Sequence, residues 1–335
     1  MNPPVRVLFV VMPNSLALDW AGPAEALRIA NDTLVARGAA PAFQVGFIGP
    51  EAEPSTSVGI SLKGVAALPP IQSFGEQPTW VILLGQPGQR LDPHTPAMGQ
   101  LLDWLRGFHA VPGQRELLCV CAGSLIAAHA GLLDHHEATT HHQHLQELRT
   151  VAPRCHAVGN RVFVESDGIW SSAGITTGID LMLCRIADIC GEPIAARVAE
   201  TMVVALRRGP ADPERSPFLT HRSHLHPLLH KLQDAIAEDP RAAWTLESMA
   251  RMACVTPRHL SRLFLQHADL TPLEYLQRIR LSTAEAALRV GARVGQAADI
   301  AGFSSEVQLR RAWARLGQHE TPPSEFRKRH AKETA

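Results

Sequence analysis

"LLCVCAGSLIAAHAGLLD", residues 117–134, joins an apolar run to an alanine-rich helical pattern through one cysteine and a few small residues. A buried strand that ends in Cys121 and turns at once into a helix near Gly123 has the layout of a nucleophile elbow. In that layout, free amides at the helix start favour a thiolate. Cys119, two residues earlier on the same strand parity, is expected deeper in the core. The strand–turn–helix pattern recurs through the first 190 or so residues. "VRVLFVVM" (5–12), "FQVGFIG" (43–49), "TWVILLG" (79–85) and "ELLCVC" (116–121) show no polar alternation. Helical patterns separate them, at "PAEALRIANDTLVARG" (23–38) and around "MGQLLDWLRGFH" (98–109). Such strands predict a parallel α/β sheet, flavodoxin-like, covered on both faces. "NRVFVESDGIWSSAG" (160–174) reads as a strand pair turning at "SDG", and "GIDLMLCRIADICG" (178–191) as a helix with a glycine stop.

The pattern breaks at "RRGPADPERSPFLTHR" (207–222), where three prolines among charged and small polar residues predict a linker. Beyond it every segment reads as helix and turn. The division is 1–206, linker 207–224, and 225–335. The chain is 45% hydrophobic and 19% charged, which excludes a disordered protein. No apolar run reaches the ~20 residues of a bilayer span, so no membrane partner is expected. "MNPPVRVLFVVMP" reads as a first strand and not as a signal peptide. Six cysteines, none in CxxC spacing, predict free thiols and a cytoplasmic location. Net charge is zero, yet residues 230–335 carry 16 Lys and Arg against 12 Asp and Glu. That excess is compatible with an anionic partner for the second half.

In "WTLESMARMACVTPRHLSRLFLQHADLTPLEYLQRIRL" (244–281), Thr245 is an N-cap with Ser248 three residues on. Thr256 caps a second helix that opens with Pro257, where a missing N–H costs nothing. That helix buries Leu260, Leu263 and Phe264 and turns Arg258, His259, Ser261, Arg262 and Gln266 outward. This is the helix-turn-helix plan. A second copy runs over "VGQAADIAGFSSEVQLRRAWARL" (294–316), with Ser304 or Ser305 as cap and Glu306, Gln308, Arg310 and Arg311 displayed. "EYLQRIRLSTAEAALRV" (274–290) is long enough to link the two. Recognition helices ~34 Å apart would reach adjacent major grooves.

"TLESMARMACVTPRHLSRLF", "TPLEYLQRIRL", "AGFSS" and "PSEFR", in that order, resemble the AraC-type DNA-binding domain over about 100 residues. The resemblance implies a transcription regulator, an activator by family habit. It implies direct-repeat DNA half-sites as partner, RNA polymerase as a further one, and base contacts from Arg258, Ser261, Arg262, Glu306, Gln308, Arg310 and Arg311. The second copy departs from the pattern at Ala297, Leu309 and Trp313.

"LDWAGPAEALRIAN" (18–31), "CAGSLIAAHAGLLD" (121–134), "ATTHH" (138–142) and "SSAGITTGIDLML" (171–183) resemble the class I glutamine amidotransferase-like fold of the PfpI type. The form fused to AraC-type regulators is the one implied. The resemblance places Asp19 and His141 beside Cys121 and implies a homodimer. It also implies that the pocket binds a small effector, an amino acid or a quaternary amine, without catalysis or cofactor. Gly85 is followed by Gln86 where a second glycine is usual in an oxyanion loop, and Ala122 supplies no hydroxyl. The expected pocket is Asp19, Trp20, Gly85, Cys121, Ala122, His141 and Trp170. The two tryptophans would offer faces to an ammonium group, or else are simply core. The alternative is a cysteine-dependent hydrolase, hydratase or thiol sensor using Cys121 and Asp19, with His141 as a third vestigial candidate. "DHHEATTHHQH" (134–144) and "HRSHLHPLLH" (221–230) lack a tight ligand motif and predict no metal site.

Overall fold

Val7 and Phe9 of the first strand face one apolar core while Leu8 and Val10 face another, and all four are buried. That is why the run shows no polar alternation. The computed structural model describes residues 3–88, 90–174, 176–204, 221, 224, 226–289, 291–317 and 321–333. The chain divides into two compact units, Met1–Glu214 and Arg215–Ala335. Of the linker expected at 207–224, only His221 and His224 fall within the described residues.

In the first unit the order is β1 (Val5–Val10), α1 (Ala17–Ala36), β2 (Phe43–Gly49), β3 (Ala66–Ala67), β4 (Thr79–Leu83), α2 (Pro96–Leu105), β5 (Arg115–Val120) and α3 (Gly123–His129). There follow β6 (Glu137–Ala138), α4 (Leu145–Val151), β7 (His156–Ala157), β8 (Phe163–Ser166), β9 (Ile169–Ser172), α5 (Thr177–Cys190) and α6 (Glu192–Thr201). The main sheet runs β3-β2-β1-β4-β5-β9-β8. All its pairings are parallel except the β8–β9 hairpin. Asp167 (φ 49°) and Gly168 (φ 81°) make that hairpin's two-residue turn in the left-handed conformations such turns need. Helices α1, α5 and α6 pack on one another, α1 and α5 with residues in the first core, while α2 and α3 line the other. From β1 the chain goes to β2 on one side and later to β4 on the other, so the strand order reverses between β1 and β4. Open α/β sheets bind ligands outside the strand C-termini at such a point.

The second unit contains α7 (Pro227–Glu238), α8 (Leu246–Met252), α9 (Pro257–Ala268), α10 (Pro272–Arg289), α11 (Val294–Ala301), α12 (Glu306–Leu316) and α13 (Pro323–Glu333). It has two cores. Tyr275, Leu276 and Ile279 at the start of α10 belong to one, with Leu260, Leu263 and Phe264. Leu281, Ala284 and Leu288 at its end belong to the other, with Ala297, Leu309 and Trp313. The three residues that depart from the family pattern are therefore interior. Trp313 meets Phe326 edge-on at 5.2 Å and donates its indole N–H to the Thr321 carbonyl at 2.9 Å.

Candidate ligand pocket and nucleic-acid interface

Cys121 follows β5 directly and adopts φ 56°, a conformation costly to any residue with a Cβ. Its N–H donates to the Ser172 carbonyl at 3.0 Å, and its carbonyl accepts from Thr140 Oγ1 at 3.0 Å. The Thr139 N–H donates to Ser171 Oγ and the Thr139 carbonyl accepts from Ser124 Oγ, so "ATT" is pinned under the elbow. The left-handed turn also changes the side chain's direction. Cys121 lies in the core of Leu118 and Val120, whereas Cys119 lies in the opposite one. The shared parity expected for the two cysteines is thus corrected. Burial pushes the Cys119 thiol well above its ordinary range.

Asp19 sits in the first turn of α1 and is fully buried. Its Oδ2 accepts from the Gly85 N–H at 2.9 Å, while Oδ1 has no partner among the described residues. Burial raises its pKa to about 6, and the Gly85 hydrogen bond only partly offsets that. Gly85 holds the acid and the cysteine together. A Cβ there would lie 2.8 Å from Asp19 Oδ2, 3.1 Å from the Ala122 nitrogen and 3.2 Å from Cys121 Cβ. The elbow itself depends on Gly123, whose Cβ would fall 2.3 Å from the Leu83 carbonyl oxygen.

Beside this group, outside the ends of β1, β4 and β5, lies a cavity of about 440 Å³. Met12, Gln86, Ala122, Leu125 and His144 form part of its wall, and Glu51, Arg90 and Asp92 bring charge to it. Gln86 Nε2 donates to the Pro13 carbonyl at 2.6 Å, tying the β4 loop to the β1 loop. Glu147 faces His144 Nδ1 at 3.1 Å and accepts from the Leu91 N–H at 3.1 Å, which fixes the loop next to Arg90.

Of the seven residues expected to form the pocket, Ala122 lines this cavity. Asp19, Gly85 and Cys121 come together immediately behind it. His141 stands near Gly174, with ring centroids 4.2 Å from His142 and 6.2 Å from His144. The two tryptophans lie elsewhere. Trp20 is one residue past Asp19 on α1, about 100° around the helix, and meets Phe47 edge-on at 5.8 Å. Trp170 pairs with Leu118, three residues below the elbow, roughly 10 Å down the strand. Its ring stacks on the Arg185 guanidinium at 4.4 Å, which Trp80 covers from 4.8 Å and Glu116 pairs at 2.5 Å. Of the two roles left open for Trp20 and Trp170, these contacts are those of packing, and neither ring lines this cavity. Sequence reasoning missed Arg90, Gln86 and His144 as wall residues. Only the histidine-rich stretch and the residue after Gly85 drew notice there. Among the described residues no group of three or more His, Cys, Asp or Glu is arranged to hold a metal. No helix of the described residues is long and apolar enough to cross a membrane.

In the second unit, Thr245 and Ser248 form a reciprocal capping box on α8. Thr256 caps α9 by accepting from the His259 N–H at 3.3 Å, and Pro257 opens the helix. Arg258 and Arg262 are exposed, one helical turn apart. The Arg262 guanidinium donates to His259 Nδ1 at 3.0 Å, while Ser261 Oγ folds back on the Pro257 carbonyl. In the second copy, Gly302 ends α11 with φ 81° and Ser305, not Ser304, caps α12 by accepting from the Gln308 N–H. Gln308 Oε1 accepts from both the N–H and the hydroxyl of Ser304. Arg310 pairs with Glu306 at 2.6 Å. Arg311 is exposed with no such partner among the described residues.

A family profile described as "Helix-turn-helix domain" matches residues 249–329. The match lies within the C-terminal unit, and the chain's relatives include helix-turn-helix transcriptional regulators. HTH-type transcriptional regulator GlxA of Rhizobium meliloti (strain 1021) is 33% identical over 202 residues, 59% of this chain and 61% of that protein. The chain thus matches about six tenths of that relative's length. HTH-type transcriptional regulator CdhR of Pseudomonas aeruginosa is 28% identical over 307 residues, 91% of this chain and 87% of its own. Isonitrile hydratase of Pseudomonas putida is 28% identical over 210 residues, 62% of this chain and 81% of that enzyme.

Proposed function

We propose that this chain is a transcription regulator whose first unit binds a small metabolite and whose second unit reads DNA. The observation that carries the reading is the duplicated helix-turn-helix whose second helices are capped by Thr256 and Ser305, with Arg258 and Arg262 exposed on one recognition helix and Arg311 on the other. Arg at such positions can make paired hydrogen bonds to a guanine edge. The division into a sensing domain (1–206), linker and DNA-binding domain (225–335) belongs to this reading, as do the homodimer, the direct-repeat sites and activation through RNA polymerase.

The cavity supports the effector side. Its volume suits a small ligand, and its wall carries both signs of charge through Arg90, Glu51 and Asp92. With Trp20 and Trp170 packed elsewhere, its described wall holds no aromatic ring other than imidazole. That favours an amino-acid-like zwitterion over a quaternary amine. An effector can bias DNA binding only by preferring one of two states of the protein. The test is thermal unfolding of the full chain with each amino acid and methylamine. A ligand at 100 times its Kd adds about 2.7 kcal/mol, and Arg90→Ala should abolish the gain. No stabilising compound would count against a sensor.

A second reading, a cysteine enzyme, draws on the strained elbow and on the isonitrile hydratase relative. Against it, the Gly85 N–H, the loop donor of an oxyanion site, is engaged by Asp19. Oxyanion stabilisation needs donors aimed at open space. Cys121→Ala should leave effector response and promoter regulation within error. Loss of regulation with ligand binding intact would favour cysteine chemistry.

A further inference from the structure

Val307 is the second residue of α12, and it is 58% exposed on the turn that opens a recognition helix. Its polar neighbours are engaged within the chain. Gln308 is folded onto Ser304, and Glu306 and Arg310 are paired with each other. Arg311, four residues on, shares the face of Val307. The foremost surface of the second helix is therefore an apolar branched side chain backed by one cation. The first helix offers at the matching place Arg258, one residue after Pro257, with Arg262 four residues on. The first residues of a recognition helix are those that reach base edges. In the major groove the apolar base-specific feature is the 5-methyl group of thymine.

We propose that Val307 is the specificity-determining contact of the second helix-turn-helix and that it reads a thymine methyl, with Arg311 anchoring the helix beside it. The inference rests on the DNA-binding reading above. Two recognition helices of one chain then read different chemistry: a hydrogen-bonding edge through Arg258 and Arg262, a methyl group through Val307.

The test uses the full chain and a site selected from random duplex DNA. Each thymine of that site is replaced in turn by deoxyuridine, which removes only the methyl group. At one thymine, wild-type affinity should fall roughly fourfold, as expected for one methyl-sized contact. Val307→Ala should bind the two versions of that position equally. Val307→Thr, which keeps one methyl at the branch, should retain the preference. Thermal unfolding confirms that both variants are folded. A site without such a thymine, or an equal methyl effect in wild type and Val307→Ala, overturns the proposal while leaving the regulator reading intact. No enriched sequence at all overturns that reading, and this one with it.

Discussion

Around Cys121 the polar groups close on one another, whereas along α9 the strongest donors face solvent. At the elbow the Gly85 and Cys121 amides, Thr139, Thr140 and Asp19 all turn inward, and one Asp19 carboxylate oxygen has no partner among the described residues. On α9, Thr256 satisfies the helix start and the apolar face satisfies the core, so Arg258 and Arg262 keep exposed donors for a partner, with one Arg262 N–H shared with His259. The difference shows that a motif's residues do not by themselves make a site. What counts is whether their donors remain aimed outward once the chain has satisfied its own backbone. The second recognition helix lies between these extremes, with Gln308 and Arg310 engaged and Arg311 displayed.

The comparison is open to attack at four points. The largest expected effect is at the elbow's closest approach. Gly123→Ala puts a Cβ 2.3 Å from the Leu83 oxygen and 2.7 Å from its carbonyl carbon. Both are backbone atoms, so relief means moving α3 off β4, at a cost of roughly 3 kcal/mol in chemical unfolding.

Asp19 comes next. The fold holds its proton until about pH 6, while the unfolded chain releases it near 3.8. Between those values the folded state binds more proton, so stability falls as pH rises and the loss is complete above pH 6. It amounts to roughly 3 kcal/mol at most. Asp19→Asn should remove that slope and be the more stable protein at pH 7. An unchanged slope between pH 4 and 6 would mean that Asp19 is not closed in as described.

On the DNA side, Arg262→Ala should weaken a selected site by about 1–3 kcal/mol and random DNA far less. Equal losses on both would reduce α9 to a phosphate contact and erase its contrast with the elbow. The smallest effect belongs to Glu306→Gln. Releasing Arg310 from its ion pair should strengthen binding to any DNA a few-fold, and the salt dependence should steepen by about one counterion.

Much of this was legible in the sequence because it is local. Apolar runs without alternation predict a two-sided sheet. Thr245, Thr256 and Ser305 mark helix starts by their own side chains, and the Ser-Asp-Gly turn marks the hairpin. Two-residue strands such as β3, β6 and β7 escaped, since nothing in so short a segment carries a period. The pocket was legible only in part. Asp19, Gly85, Cys121 and Ala122 were expected together and are together, because each ends a strand or opens a helix at the same edge of the sheet. Pocket or core stayed open for Trp20 and Trp170 because aromatic character says nothing about which end of a strand, or which side of a helix, carries the ring. Arg90 and Gln86 lie on a loop, where no periodicity points to them.

The sequence by itself determined the two architectures, the caps of the recognition helices and the elbow at Cys121, since each follows from spacing within a few residues. Only the tertiary structure decided which groups those features leave free. Asp19 takes the Gly85 amide across 66 residues, and Arg185 fills the space between two tryptophans. Val307 is left exposed where the polar side chains beside it have turned back on the chain. Such outcomes depend on long-range packing and on the satisfaction of buried polar groups, which no local window of sequence contains.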